Sequence, residues 1–200
     1  AEEALPQIQA MMTDAQGPQL QIADGTASIY IQDLNGDGNI TGSDKVWLFF
    51  GLRRGGRVMY ALDITAPDNP IFMWKISAET TPAKVCVANG ACTNASQFNE
   101  LGQTWATPVV GKVRANSNPV LIFGGGYDAG NPVVNTSPYS GEDAMPPGTR
   151  SMGRAVFVVD AVTATIVQSW GVGQSGPFLG SGASSMIYSI PSDVTALNTD

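Results

Sequence analysis

Twelve residues between two apolar runs hold the side chains whose types and spacing most directly suggest chemistry: Asp33-Leu34-Asn35-Gly36-Asp37-Gly38-Asn39-Ile40-Thr41-Gly42-Ser43-Asp44. Oxygen-bearing side chains stand at alternate positions, Asp33, Asn35 and Asp37, and Gly38 follows at the sixth position, where a calcium loop makes its sharp turn. Asn39 would offer its backbone carbonyl, and Thr41 and Asp44 fall at the ninth and twelfth positions. A hard cation requires such a ring of oxygens, so the pattern predicts Ca2+ held by Asp33, Asn35, Asp37, Asn39, Thr41 and Asp44. The alternative is an Asx-rich turn that holds no ion, since Asn-Gly and Asp-Gly are ordinary turn formers. Carboxylates converging without a cation would repel one another, which favours the metal.

The segments that must position this loop are β-like. Ser28-Ile29-Tyr30-Ile31-Gln32 leads into it and Val46-Trp47-Leu48-Phe49-Phe50 leaves it, both rich in β-branched and aromatic residues. The loop is therefore expected between strands and not between the two helices of an EF-hand. Further strands are expected at Val58 to Thr65 and Ile71 to Ile76, joined by the turn Gly51-Leu52-Arg53-Arg54-Gly55-Gly56-Arg57 and by Thr65-Ala66-Pro67-Asp68-Asn69-Pro70. The glycine-rich turn lacks the strand-to-helix setting and the Lys-Ser/Thr of a phosphate loop, so it reads as a hairpin with structural arginines. Before all this, Leu5, Ile8 and Met11/Met12 lie at helical spacing behind Glu2-Glu3, which predicts a short N-terminal helix.

The chain has 200 residues, 43% of them hydrophobic, enough to bury a core. Its 23 glycines and 13 prolines punctuate short apolar runs, as in an all-β protein. A net charge of -7, without a basic cluster beyond Arg53 to Arg57, offers no footprint for nucleic acid or an anionic membrane. No run is long enough to span a bilayer and no basic-then-apolar leader opens the chain. Cys86 and Cys92 flank Asn89-Gly90, a turn that would bring them together. With no His or further Cys as metal partners, a local disulfide in an oxidising compartment is the favoured reading over two reduced thiols.

The pattern repeats along the chain. Gly56-Arg57-Val58-Met59-Tyr60-Ala61-Leu62-Asp63 matches Gly153-Arg154-Ala155-Val156-Phe157-Val158-Val159-Asp160, and Leu48-Phe49-Phe50-Gly51 matches Leu121-Ile122-Phe123-Gly124. Each copy continues into a strand bearing Trp74 or Trp170. Repeats of this size predict a β-propeller fragment: quinoprotein-like blades of antiparallel meanders that stack to share a core, with residues 1–200 part of a single domain cut short at its C-terminal end. The Asn/Pro/Ser/Gly-rich stretch from Ala129 to Met152 reads as an insertion between the second and third strands of the later repeat. For Trp47, Trp74, Trp105 and Trp170, packing between blades is favoured over carbohydrate stacking.

The calcium loop, the string from Phe49 through Arg53-Arg54-Gly55-Gly56-Arg57 to Tyr60-Ala61-Leu62-Asp63-Ile64-Thr65, Leu101-Gly102-Gln103-Thr104-Trp105-Ala106-Thr107-Pro108-Val109-Val110, and Phe123-Gly124-Gly125-Gly126-Tyr127-Asp128 together resemble the C-terminal β-propeller of the PilY/PilC family. The likeness runs in order along nearly the whole chain. It implies a type IV pilus biogenesis factor and tip adhesin, secreted or at the surface of a Gram-negative bacterium. Pilins and minor pilins would be its partners, with a host or surface receptor beyond them. Pilus extension, adhesion and twitching motility would depend on calcium held by Asp33, Asn35, Asp37 and the Asn39 carbonyl. Family loops often carry Asp at the ninth position, where this chain has Thr41, and Asp44 would then complete the ring. Asn198-Thr199-Asp200 looks like the start of a second such loop.

Two other classes share parts of this pattern. Tyr60-Ala61-Leu62-Asp63 with a later Trp also resembles quinoprotein dehydrogenase repeats, and integrin-type propellers carry Asp-x-Asn-x-Asp-Gly loops as staples. The chain has no His and no adjacent Cys pair to cover a quinone. No Ser or Cys has an evident activating partner, so a non-enzyme is expected. Asp63, Asp128 and Asp160 are the carboxylates left to consider as bases. Asp63 and Asp160 recur at strand ends, where capping a turn is the simpler role.

Overall fold

The computed structural model describes residues 22–88, 90, 92–129, 152–171 and 188–196, with isolated positions 8, 9, 12 and 186. The helix expected over Glu2 to Met12, the insertion between Ala129 and Met152, and Asn198-Thr199-Asp200 lie wholly or mostly outside them. The described residues form two antiparallel sheets. The first is a meander in chain order: β1 (Ala27–Gln32), β2 (Lys45–Gly51), β3 (Val58–Asp63), β4 (Ile71–Ser77), β5 (Lys84–Val87) and β6 (Thr93–Asn94). The second is another: β7 (Val109–Gly111), β8 (Val120–Gly124), β9 (Ala155–Asp160) and β10 (Ile166–Gly171). The all-β expectation holds. Among the described residues the sheets are open, and they do not close into a ring.

Alternation of side chains decides which face each strand buries. On β2, Trp47 and Phe49 point into the core, and on β3 Met59 and Ala61 do the same. Trp74 and Ile76 of β4 complete that face. It packs against Leu121 and Phe123 of β8 and Ala155, Phe157 and Val159 of β9, so one hydrophobic core is shared by the two sheets. A polar contact locks the interface: the Trp74 indole Nε1–H donates to the Ala161 carbonyl at 2.9 Å. At the sheet edges, Ser28 Oγ donates to the Pro108 carbonyl, tying β1 to the approach of β7.

The repeat read in the sequence corresponds to β2-β3-β4 and β8-β9-β10, but the two copies do not meet face to face symmetrically. The first copy turns Met59 and Ala61 to the shared core, whereas the second turns Ala155, Phe157 and Val159, whose counterparts are Val58, Tyr60 and Leu62. Val58 and Tyr60 instead join Leu52, Phe50 and Phe72 in a separate cluster on the opposite face of the first sheet. Opposite faces of one repeated unit are therefore in contact, a head-to-tail arrangement. The two strand tryptophans are not equivalent either. Trp74 pairs with Ala61, whereas Trp170 pairs with Val156, the counterpart of Met59, so they stand two residues apart in register.

The repeated arginines converge on one connecting segment. Arg57 Nε donates to the Leu101 carbonyl at 2.7 Å and its Nη2 to the Asn99 carbonyl at 3.0 Å. Arg154 holds Glu100 with two hydrogen bonds, Nε to Oε2 at 3.0 Å and Nη2 to Oε1 at 2.8 Å. The Glu100 contact holds the Arg154 guanidinium above its ordinary pKa, whereas burial lowers that of Arg57. The Arg154–Glu100 pair is mostly shielded, so Glu100→Ala is expected to cost about 2 kcal/mol, between the values for exposed and buried pairs. Denaturant unfolding of this variant beside Glu100→Ala/Arg154→Met checks it, because the double variant leaves no unpaired guanidinium and should recover part of the loss.

The expected disulfide is present. Cys86 and Cys92 are bonded, with Cα atoms 4.1 Å apart, and close the β5–β6 hairpin. Cys86 lies within a strand and is buried, not in an exposed loop.

Candidate metal-binding loop

The loop from Asp33 to Asp44 is the β1–β2 connection, as expected, and strands flank it on both sides. Its base is rigid because Tyr30 and Trp47 are opposite one another in the ladder and their rings stack, with centroids 5.8 Å apart. Within the loop, side-chain oxygens organise the backbone. Asp33 Oδ1 accepts from Gly36 N–H at 2.7 Å and Oδ2 from Gly38 N–H at 2.8 Å. Asn35 Oδ1 accepts from Asp37 N–H at 3.1 Å, and Asp37 Oδ1 accepts from Asn39 N–H at 2.7 Å. Asn35 Nδ2 also donates to Asp37 Oδ2 at 3.0 Å, drawing the third and fifth positions together. Gly36 and Gly38 have φ of 71° and 76°, and a side chain at either would meet open space, so glycine is required there for its backbone conformation and not for close packing.

Asp44 behaves differently from the other acids. It is only 3% exposed. Its Oδ1 accepts from Leu34 N–H and its Oδ2 from Thr41 N–H, each at 2.9 Å. Asp44 N–H in turn donates to the Thr41 carbonyl at 3.0 Å. Both ends of the loop are thus clamped on one carboxylate. These two backbone donors, Leu34 first, hold the Asp44 carboxyl below its ordinary pKa, against an opposing effect of burial. A carboxyl with a lowered folded pKa stabilises the fold fully above its unfolded value, about 3.9, and loses that contribution as pH falls through the folded value. Thermal melts of the native chain and Asp44→Asn should therefore differ most at neutral pH and converge as pH falls below the lowered folded value of Asp44.

The donor set suits a hard cation. It consists of oxygens, and an ionised carboxylate offers about four acceptor sites, so Asp33 and Asp37 retain free lone pairs after their loop hydrogen bonds. The six predicted residues do not play equal parts. Asp33, Asn35, Asp37 and Asn39 crowd one turn, whereas Thr41 and Asp44 are engaged with each other's backbone. Among the described residues no three His, Cys, Asp or Glu side chains are grouped as a metal site. Coordination here would rest on two carboxylates plus amide and carbonyl oxygens.

The equivalent hairpin of the second sheet, between β7 and β8, is tied in another way. Asn116 and Asn118 donate their Nδ2 groups to Asp160 Oδ2 at 2.9 and 3.0 Å, and Asp160 Oδ1 accepts from Val162 and Thr163 N–H at 2.9 and 2.8 Å. Burial pushes the Asp160 carboxyl up, but these donors, Asn116 foremost, leave it below its ordinary value. Asp63 Oδ1 likewise accepts from Thr65 N–H at 2.9 Å. Burial pushes Asp63 up too, and Thr65, Lys45 and Trp47 bring it below its ordinary value. Both repeat aspartates thus cap turns. Asp128, fully buried, faces Met152 N–H at 3.4 Å. The amide donors of Asn116 and Asn118 are not evident in the sequence, where no spacing links them to Asp160.

Of the four tryptophans, Trp47 and Trp74 are core residues as expected, but Trp105 is partly exposed and carries two arginines. The Arg53 and Arg54 guanidinium carbons lie 4.5 and 5.6 Å from its ring centroid.

No protein-family model and no curated protein sequence matches the chain. Among solved structures, the chain is similar to the Pseudomonas aeruginosa PilY1 C-terminal domain, at 20% identity with a TM-score of 0.44. That match covers 76% of this chain and 22% of the other, so the chain spans less than a quarter of the solved structure's length. No described helix is long and apolar enough to cross a membrane.

Proposed function

We propose that the chain is a calcium-stapled portion of a β-propeller in a type IV pilus-associated adhesion and biogenesis protein at the surface of a Gram-negative bacterium. The observation that carries the calcium part is the clustering of Asp33, Asn35, Asp37 and Asn39 on one exposed turn whose ends are clamped by Asp44. The bound cation would supply a charge that offsets the Asp33 and Asp37 carboxylates and would cross-link them. Asp33, Asn35, Asp37 and the Asn39 carbonyl would hold it, and Asp44 would position the loop. The β7–β8 hairpin uses amide donors on Asp160 for the same end, and the β1–β2 turn has mostly acceptors to offer.

The blade reading is supported by the head-to-tail use of the repeat. Contact through opposite faces leaves each meander with a second face that can receive another, which is how radial blades accumulate. The opposite face of the first sheet carries the buried Leu52, Val58 and Tyr60 with the partly buried Phe50 and Phe72, beside a cavity of about 420 Å³ lined by Tyr60, Phe72, Lys75 and the cystine. The pilus assignment rests on the Arg-Arg-Gly-Gly-Arg and Tyr-Ala-Leu-Asp strings and their order along the chain. It is tested by replacing the chromosomal copy with Asp33→Ala/Asp37→Ala and assaying twitching zones and sheared pili. Loss of twitching with the protein still in the pilus fraction is expected. Absence of the native protein from sheared pili would remove the assignment.

A further inference from the structure

We propose that Arg53, presented on the Trp105 ring beside Tyr127, forms a binding site for the carboxylate of an acidic saccharide. The site lies at the opposite end of β2 from the calcium loop and does not depend on metal. Arg53 belongs to the β2–β3 turn, and Tyr127, in the segment after β8, is bridged to Gln103, two residues before Trp105. The equivalent connections of the two repeats therefore meet there.

Several independent features converge on Arg53. Its backbone φ is 54°, a left-handed conformation that a long side chain rarely adopts. Thr104 holds that conformation, its Oγ1 accepting from Leu52 N–H at 2.9 Å and from Arg53 N–H at 3.3 Å. The guanidinium lies 4.5 Å from the Trp105 ring centroid, and its Nε is buried without a hydrogen-bond acceptor among the described residues. The ring, not a carboxylate, therefore keeps the cation in place. Trp105 is itself fixed, its Nε1–H donating to Gln103 Oε1 at 3.0 Å and its ring 5.5 Å from that of Tyr127.

The neighbouring arginine shows which chemistry the turn accepts. Arg54 N–H donates to Asp24 Oδ1 at 3.2 Å, and Arg54 Nε lies 3.8 Å from Asp24 Oδ2. Asp24 thus compensates Arg54, whereas no described carboxylate forms an ion pair with Arg53. With Nε buried, a guanidinium stacked on an aromatic ring presents its two terminal Nη groups for bidentate contact with a planar oxyanion. The partly exposed Tyr127 ring beside it adds an apolar wall against which a pyranose ring can lie. A pre-oriented cation with no ion-pair partner among the described carboxylates, in a chain of net charge -7 and next to an aromatic wall, favours an acidic sugar over a neutral one.

The test is an NMR titration of the whole chain with trigalacturonic acid, following the Trp105 indole N–H and the Arg53 Nε–H. Its methyl ester, triglutamate and inorganic phosphate at matched ionic strength are the comparison probes. Saturable shifts with trigalacturonic acid alone are expected. They should weaken about tenfold or more in Arg53→Asn, as for loss of a charge-assisted hydrogen-bonding pair. Asn tolerates the left-handed backbone, so this variant should keep its melting temperature and separate binding from folding. Absence of shifts, equal shifts with the ester, triglutamate or phosphate, or undiminished binding in a folded Arg53→Asn would overturn the proposal.

Discussion

Saturating calcium is expected to raise the melting temperature of this chain by about 5–10 °C, and Asp37→Ala to abolish the rise. A ligand that binds only the folded state at a hundred times its dissociation constant adds about 2.7 kcal/mol, and each kcal/mol moves the midpoint of a chain this size by about 2–4 °C. The effect is local in origin. Asp33 and Asp37 sit on the same turn, and Asn35 already bridges toward Asp37 through its amide at 3.0 Å. A cation bound in the turn would offset the charge of both carboxylates. Asp37→Ala removes a proposed ligand and the acceptor of Asn39 N–H. Asp44→Asn should act differently, lowering stability with or without calcium, because Asp44 clamps the loop ends on Leu34 and Thr41. Differential scanning fluorimetry with calcium and with chelator separates these two behaviours.

The second large effect belongs to the interface between the sheets. Trp74→Ala should cost about 3–5 kcal/mol, the range for deleting a large buried aromatic side chain, and lower the melting temperature by on the order of 10 °C. Trp74 is fully buried, packs near Phe49 with ring centroids 6.0 Å apart, and spans to Ala161 through its indole N–H. Trp74→Phe keeps much of the apolar area and leaves the Ala161 carbonyl without its donor, so a smaller loss of about 1–3 kcal/mol is expected. Chemical denaturation of the two variants checks the ordering. If the sheets were independent units, both substitutions would leave the second sheet's unfolding unchanged.

The strands were the most legible part of the chain. Val46 to Phe50, Val58 to Thr65 and Ile71 to Ile76 read as strands from their β-branched and aromatic alternation, and they correspond to Lys45–Gly51, Val58–Asp63 and Ile71–Ser77. The setting of the loop between strands was legible for the same reason. The cystine hairpin was less so: β5 has four residues and β6 two, too few to show a period, although the Asn89-Gly90 turn pointed to the bond itself. Tertiary relations left no local trace. Nothing in the spacing of Arg57 and Arg154 shows that both grip the segment from Asn99 to Leu101, because that meeting depends on how the sheets pack. The same holds for Trp105, expected in a core and found under two arginines. Within the loop, residue types revealed the candidate oxygens, but not the division of labour between Asp44 and the exposed turn. That division depends on which carboxylate is buried, and Asp33, Asp37 and Asp44 look alike in one dimension.

We propose that the β1–β2 turn holds one calcium ion. Tyr30 and Trp47 stack at its base, so a lanthanide in the loop would receive energy from them when the protein is excited in the ultraviolet. Terbium luminescence on the native chain is therefore the most direct measurement. The predicted result is sensitised emission that saturates at one equivalent, is displaced by calcium, and is lost in Asp33→Ala/Asp37→Ala while the fold persists. Absence of sensitised emission from the native chain, or emission that survives in the double variant, would contradict it.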